Sequence, residues 1–225
     1  MSLMLASVSS LAEARLVQKY DADIIDLKQP EQGALGALAT HTVTEIVSAL
    51  KPGSRISATV GDLPMRREPV CQAVADMAAT GVDFIKIGFF PGDDSLGCIA
   101  GLAEIAQQGY ALIAVLFADA SPDFSLLKSL ADAGFQGVML DTMHKKRGGL
   151  TSLLTRQELQ AFVQTAKQYQ LLTGLAGSLT AADIPALLPL KADYLGFRGA
   201  LCVNSERTAS LDEGQIGRIR SLLVA

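Results

Sequence analysis

Short aliphatic segments alternate with longer amphipathic segments throughout this chain of 225 residues, and that alternation restricts the folds it can adopt. The predicted strands span residues 3–8, 23–28, 55–60, 84–89, 112–117, 137–142, 172–176 and 194–197. Because they are short and largely aliphatic, we expect them to be buried on both faces, as strands of parallel sheets are. Eight strand–helix units in this length predict an α/β protein with a closed (β/α)8 TIM barrel, forming a single domain over residues 1–225.

The segments between the strands have the apolar periodicity of helices. The predicted helices span residues 11–20, 42–50, 68–80, 95–108, 124–133, 155–169, 180–188 and 212–223. An open, doubly wound sheet is the alternative architecture. It would usually carry a glycine-rich nucleotide-binding turn after the first strand, and Ser7-Val8-Ser9-Ser10 is not such a turn.

Composition excludes several classes of protein. The net charge is −4 with no basic block, so we expect no nucleic-acid partner. No run reaches the roughly 18 apolar residues that span a bilayer, and the N-terminus does not resemble a signal peptide, so we expect no membrane association. Cys71, Cys98 and Cys202 are odd in number and widely spaced, which suggests a reducing cytoplasm. We expect Cys98 and Cys202 to be small buried residues rather than nucleophiles. Oligomeric state is left open, although barrels often assemble through their outer helices.

Charged residues interrupt the apolar strands near their carboxyl ends. Asp26 and Lys28 lie two residues apart and therefore point to the same side of the second strand. Lys86 lies within the fourth strand, Asp141 ends the sixth, and Lys145 follows in the next loop. In a barrel these positions converge at the carboxyl-terminal mouth, where active sites of this fold are found. We therefore predict that these five residues form the catalytic site.

Lysines held among apolar residues and near another cation lose their proton more readily, which leaves an amine that can attack a carbonyl. Nearby aspartates can move protons through the carbinolamine and imine steps. A single lysine at a strand end is more often a solvated charge or a structural ion pair, but two aspartate–lysine sets favour Schiff-base catalysis. His41 and His144 are too isolated for a zinc site, so neither a metal nor a cofactor is expected.

The turns after the last two strands predict a phosphate site. Gly177 and Ser178 follow the seventh strand, and Arg198 and Gly199 follow the eighth. Small residues let backbone N–H groups approach an anion, and an arginine could add a bidentate contact. Loops after strands seven and eight are the recurrent phosphate-binding position in barrels.

Several blocks of the sequence resemble a known family. Ala22-Asp23-Ile24-Ile25-Asp26-Leu27-Lys28-Gln29-Pro30, followed by Gly33-Ala34-Leu35-Gly36, is similar to the family block ADIIDxKxPxxGxLG. The blocks 83–88, 137–142 with Lys145, and 174–179 are similar to further family blocks. The family is (5-formylfuran-3-yl)methyl phosphate synthase, a TIM barrel of methanofuran biosynthesis that also occurs in methylotrophic bacteria with a related C1 carrier.

The resemblance implies a cofactor-free lyase that condenses two molecules of glyceraldehyde 3-phosphate into a furan aldehyde phosphate, with loss of phosphate and water. It implies that Lys28 forms the Schiff base and Lys86 accepts a proton, with Asp26, Asp141 and Lys145 at further active-site positions. Two alternatives stay open: another Schiff-base aldolase or isomerase acting on a sugar phosphate, and a barrel that binds a phosphorylated metabolite without catalysis.

Overall fold

Eight parallel strands, paired in chain order, close into a single barrel in the computed structural model. The structure describes residues 2–50, 52–92, 94–144 and 147–224. The strands are β1 (Leu3–Val8), β2 (Ile24–Leu27), β3 (Arg55–Thr59), β4 (Phe84–Phe89), β5 (Ala111–Phe117), β6 (Gly137–Asp141), β7 (Leu172–Leu175) and β8 (Tyr194–Phe197). The first and last strands pair directly, so the sheet has no open edge. The predicted TIM barrel is therefore confirmed.

Helices surround the barrel and connect its strands. They are α1 (Leu11–Lys19), α2 (Thr40–Ala49), α3 (Arg67–Ala78), α4 (Ser95–Gln107), α5 (Leu126–Asp132), α6 (Leu150–Leu153), α7 (Arg156–Gln168), α8 (Ile184–Leu187) and α9 (Glu213–Val224). None of the helices in the described ranges combines the length and the apolar character needed to cross a bilayer.

Two local expectations were wrong. The helix predicted over residues 180–188 is reduced to the single turn α8, followed by a 3₁₀ turn over Leu188–Leu190. Pro189 lacks the N–H that would continue the α-helical bonding, which explains the change at this point. The one-turn helix α6, which contains the buried Leu150, was not predicted at all.

Alternate residues of each strand face two different layers, and this sorts the core into two clusters. Ile25 and Leu27 of β2 belong to the larger cluster, which packs between the barrel and the helices. Ile24 and Ile113 belong to the smaller cluster, which fills the barrel interior. The two-residue period of a strand therefore places Asp26 and Lys28 on the interior side with Ile24.

Two interior positions of the last strands have no side chain. A Cβ at Gly174 would overlap the ring of Tyr194, so this ring fills the space that a side chain at Gly174 would need. A Cβ at Gly196 would lie 2.9 Å from Met139 Cε and 3.0 Å from Ala176 Cβ. The barrel interior is filled by side chains from neighbouring strands at these two points, and glycine leaves room for them.

Candidate active site

Lys86 and Asp26 form a buried ion pair inside the barrel. The Lys86 Nζ atom lies 3.0 Å from each carboxylate oxygen of Asp26. The side chains are 2% and 0% exposed, respectively. Because burying an unpaired charge is very costly, each charge stabilises the other in this environment.

Two serines complete the surroundings of the Asp26 carboxylate. Ser7 Oγ donates to Oδ2 over 2.8 Å, and Ser57 Oγ donates to Oδ1 over 2.6 Å. Strand register explains this arrangement, since Asp26 pairs with Ser7 of β1 on one side and with Ser57 of β3 on the other. Sequence reasoning missed both serines, although their positions on the interior side of β1 and β3 were a usable signal.

Lys28 and Asp141 form a second ion pair, with a longer distance between the charged groups than in the first. The Lys28 Nζ atom lies 3.7 Å from Asp141 Oδ2, and both side chains are almost fully buried. Asp141 Oδ1 also accepts a hydrogen bond of 2.7 Å from the backbone N–H of Thr142. The two lysines that line the site therefore each lie beside a different carboxylate.

The predicted catalytic Lys145 lies outside the described residues, as does its neighbour Lys146. The residues just before them are fixed by Asp119, which follows β5 and has a side chain only 1% exposed. Asp119 accepts hydrogen bonds from the backbone N–H groups of Met143 and His144, over 2.7 and 2.6 Å. Burial alone would raise the pKa of Asp119, but these N–H donors and the His144 side chain hold it below its ordinary value.

A cavity of about 380 Å³ opens at the carboxyl-terminal mouth of the barrel. Lys28, Lys86 and Asp141 all line it, while Asp26 lies just below its floor, bonded to Lys86. The structure therefore brings the four described members of the predicted catalytic set together. Two primary amines, each beside a carboxylate, face one space, an arrangement suited to imine formation and proton transfer.

The residues predicted to bind phosphate also line this cavity. Gly177 and Ser178 come from the loop after β7, and Arg198 and Gly199 from the loop after β8. Gly177 has a φ of +107°, and a Cβ there would lie 2.8 Å from Thr142 Cγ2. Only glycine combines this backbone conformation with the close approach to the loop after β6.

Arg198 has a different set of contacts from the one expected of a phosphate ligand. Its Nη atoms donate to both carboxylate oxygens of Glu13, over 2.6 and 3.1 Å. Its other donors reach backbone carbonyls of Ser7, Arg207 and Ala209. These contacts use all five N–H groups of a guanidinium, so a bidentate phosphate contact would require Arg198 to release existing bonds.

The candidate cysteines and histidines lie away from the charged cavity. Cys98 and Cys202 are buried as predicted, and burial raises the pKa of the Cys98 thiol to about 11. His41 and His144, which are too isolated in the sequence to form a zinc site, are both exposed. Across the described ranges, no group of three or more histidine, cysteine or acidic residues is arranged to hold a metal ion.

Comparison with known protein families adds independent information. A family model described as 4-HFC-P synthase matches residues 4–220. The chain belongs to the 4-HFC-P synthase family. The family resemblance inferred from the sequence blocks is thereby confirmed.

Individual relatives of the 4-HFC-P synthase family match almost end to end. A (5-formylfuran-3-yl)methyl phosphate synthase from Methanopyrus kandleri is 34% identical over 232 residues, covering 98% of this chain and 95% of the relative. A relative from Methylorubrum extorquens, which bears the same name in provisional form, is 44% identical over 216 residues. That match covers 96% of this chain and 89% of the relative. Because these relatives are named synthases, the chain belongs to a family of enzymes.

Solved structures of other barrels share the fold of this 4-HFC-P synthase family member. A 3-hexulose-6-phosphate synthase superposes with a TM-score of 0.71 at 19% identity, covering 99% of both chains. A phosphoribosyl anthranilate isomerase from Thermus thermophilus gives 0.70 at 16% identity, covering 100% of this chain and 98% of the other. At these identities the likeness supports the TIM barrel alone.

Proposed function

We propose that this member of the 4-HFC-P synthase family condenses two molecules of glyceraldehyde 3-phosphate into (5-formylfuran-3-yl)methyl phosphate. One phosphate and two water molecules leave, which balances the atoms of the two trioses against those of the product. The reaction is a lyase reaction through a lysine Schiff base, and its product is used in the biosynthesis of methanofuran or a related C1 carrier. The names of the relatives support the product, and the residues around the cavity support the chemistry.

The observation that carries the proposal is the pair of buried lysines that line one cavity beside two separate carboxylates. A tightly bound ammonium of Lys86 disfavours a second positive charge close by. Lys28, with its longer ion-pair distance of 3.7 Å, is therefore the better nucleophile of the two. Lys86, held by Asp26, remains as the group that handles protons.

In the first step Lys28 passes a proton to Asp141, and its neutral amine attacks the triose aldehyde, forming a C–N bond and a carbinolamine. Asp141 returns that proton to the carbinolamine hydroxyl, which leaves as water and gives the imine. The imine withdraws electrons from the adjacent carbon, so that its C–H bond becomes acidic. This is the step in which carbonyl chemistry gains most from a covalent amine.

In the second step a base removes that proton and leaves an enamine. Transfer of a proton from Lys86 to Asp26 would supply the neutral amine needed, and the hydroxyls of Ser7 and Ser57 hold the carboxylate in place for it. The enamine condenses with the second triose. Departure of one phosphate, ring closure and loss of two water molecules then give the aromatic ring, and hydrolysis of the imine consumes the water released when it formed and returns Lys28.

The phosphate that remains on the product would lie against the loops after β7 and β8. Gly177, Ser178 and Gly199 line that side of the cavity and bring backbone atoms close to its space. Barrels commonly bind phosphate at this position. Arg198 also lines this wall, and its bonds to Glu13 hold it in position.

The test is incubation with glyceraldehyde 3-phosphate alone, followed by ultraviolet detection of a furan and product mass spectrometry. Borohydride added during turnover should leave a reduced adduct on Lys28, located by peptide mass spectrometry. Lys28→Arg keeps the charge but should give neither adduct nor furan, whereas Lys128→Arg on the exposed surface of α5 should match the parent protein.

Several outcomes would overturn the proposal. An adduct found only on Lys86 would refute the division of roles between the lysines. An adduct on Lys28 with a non-furan product would indicate another aldolase or isomerase. Absence of both adduct and product would favour a barrel that binds a phosphorylated metabolite without catalysis.

A further inference from the structure

A second arginine, Arg207, lines the cavity mouth and differs from Arg198 in its contacts. Within the described part of the chain, Arg207 donates one hydrogen bond, from Nη2 to the carbonyl of Gly33 over 2.8 Å. Arg198 donates five. Since a guanidinium has five N–H donors, Arg207 retains most of its capacity to bind a ligand.

We infer that Arg207, rather than Arg198, is the guanidinium that binds the phosphoryl group of the substrate. This inference rests on the proposed function, because that function supplies phosphorylated trioses as ligands. A guanidinium is planar and can offer two parallel N–H donors to one phosphoryl group. Arg207 stands at the opening of the same cavity that contains Lys28, Lys86 and Asp141.

The charges around the cavity favour an anion at Arg207. Lys86 and Lys28 each lie within ion-pair distance of a carboxylate, Asp26 and Asp141 respectively. Arg207 is half-buried, and the carboxylates of Asp141 and Asp62 act on it through their charge, without a hydrogen bond. A partly desolvated cation without a bonded carboxylate gains more from a bound phosphoryl group than an ion-paired lysine does.

The surrounding loops hold Arg207 in position. Arg198 donates to the carbonyl of Arg207 over 2.8 Å and to that of Ala209 over 3.2 Å, and so fixes the backbone on which Arg207 is carried. The same loop is closed by an isolated antiparallel bridge between Cys202 and Leu211. Arg198 therefore acts as a positioning residue for the loop after β8.

The partner of Arg207 across the mouth is equally well fixed. Gly33 belongs to the loop after β2, and the next two residues, Ala34 and Leu35, donate their N–H groups to Asp62 over 2.8 and 2.7 Å. The Gly33 carbonyl thus sits at a defined point. Arg207 therefore bridges the loop after β8 and the loop after β2, beside the cavity that Lys28 also lines.

Binding of inorganic phosphate tests this inference without any turnover. Calorimetric titration of the whole protein with inorganic phosphate should show an affinity about tenfold to a hundredfold weaker in Arg207→Gln, the range expected for loss of a charge-assisted contact. Arg207→Lys should recover only part of the affinity, because it restores charge but not the planar fork. Arg218→Gln, the same change on the exposed surface of α9, should bind like the parent.

A second measurement uses the amount of reduced Lys28 adduct formed at increasing aldehyde concentration. For glyceraldehyde 3-phosphate, half-saturation should rise about tenfold to a hundredfold in Arg207→Gln. For glyceraldehyde, which lacks phosphate, it should not change. Thermal unfolding midpoints without ligand, equal in parent and variant, establish that the variant is folded.

The outcomes separate this inference from the proposed function. Unchanged phosphate affinity in a folded Arg207→Gln refutes the role of Arg207, even if the protein makes the furan. Weakened phosphate affinity in a protein that forms no furan supports Arg207 as the anion ligand and refutes the proposed function alone. An equal rise in half-saturation for both aldehydes would show a general effect on the loop and would refute phosphate recognition.

Discussion

The Lys86 ammonium donates to both oxygens of Asp26, 3.0 Å from each, and the two side chains are only 2% and 0% exposed. Neither group could be buried alone, because an isolated charge in a low-dielectric interior is strongly destabilising. The pair therefore links catalysis to folding. Changes that remove one partner should affect both, and the two effects can be separated.

Lys86→Met should destabilise the protein by about 3–5 kcal/mol, since it leaves the Asp26 carboxylate buried without its cation. The measurement is urea-induced unfolding at neutral pH. Furan formation should be lost as well, because the proposed proton acceptor is absent.

The double variant Asp26→Asn with Lys86→Met is the control for that prediction. Removing both charges should recover much of the stability lost in Lys86→Met but none of the activity. If the double variant lost more stability than Lys86→Met and Asp26→Asn lose when their separate losses are added, the ion pair could not be the source of the loss.

Ser57→Ala should lower the free energy of unfolding by about 1.5–3 kcal/mol, the usual value for a buried hydrogen bond to a charged group. The 2.6 Å bond to Asp26 Oδ1 is the contact removed. Equilibrium unfolding measures this, with Ser221→Ala on the surface of α9 as the control. Among the described residues that serine bonds only the carbonyl of Gly217, within its own helix, so its removal should change stability by less than about 0.5 kcal/mol. Equal losses in both variants would contradict a special role for Ser57.

Gly33→Ala should be more destabilising than Gly53→Ala, although both glycines have a similar positive φ, +99° and +91°. A Cβ at Gly53 has no heavy atom within 4 Å, so that variant should lose only about 1–2 kcal/mol from backbone conformation. A Cβ at Gly33 would overlap the carboxylate of Asp62, which adds about 1–3 kcal/mol for overpacking. Thermal or urea unfolding of the two variants gives the difference directly. Similar losses would mean that Asp62 moves aside without cost.

Asp119→Asn should weaken the protein near neutral pH by about 2 kcal/mol or more, because an amide cannot serve as acceptor for all the N–H groups that the carboxylate binds. The bonds from Met143 and His144 hold the pKa of Asp119 below its ordinary value. A lowered pKa in the folded state stabilises the protein above the unfolded-state value, about 3.9, and this contribution is lost as pH falls through the folded value. The stability gap between parent and variant should therefore be constant from pH 6 to about pH 5 and shrink below about pH 4. Urea unfolding across this range tests it, and a gap that widened in acid would contradict the assignment.

The barrel could be predicted because its signal is repeated eight times. Uncertainty in one element, such as the shortened α8, does not change the architecture that the other elements define. Lys28, Lys86 and Asp141 could be located because a charged residue inside an apolar strand has few structural explanations, and the parallel order of strands carries their ends to one mouth. A strand end is a defined place in a barrel, whereas a loop residue is not.

The contacts made in the loops could not be foreseen for that reason. Arg198 lies next to a strand end and was expected to bind phosphate, yet its partner Glu13 lies 185 positions away in sequence. Arg207 lies further into the loop after β8, where no periodic pattern fixes its direction. The serines around Asp26 were more accessible to reasoning, because strand register alone sets Ser7 and Ser57 beside it.

Gly196 lines the cavity wall, and the atoms closest to its absent Cβ belong to Met139, Ala176 and Leu5. The hydrogen atom of Gly196, in place of a side chain, therefore leaves this part of the wall open. A methyl group at this point would reduce the space that a ligand can fill, so the residue at position 196 limits how bulky a molecule the barrel admits.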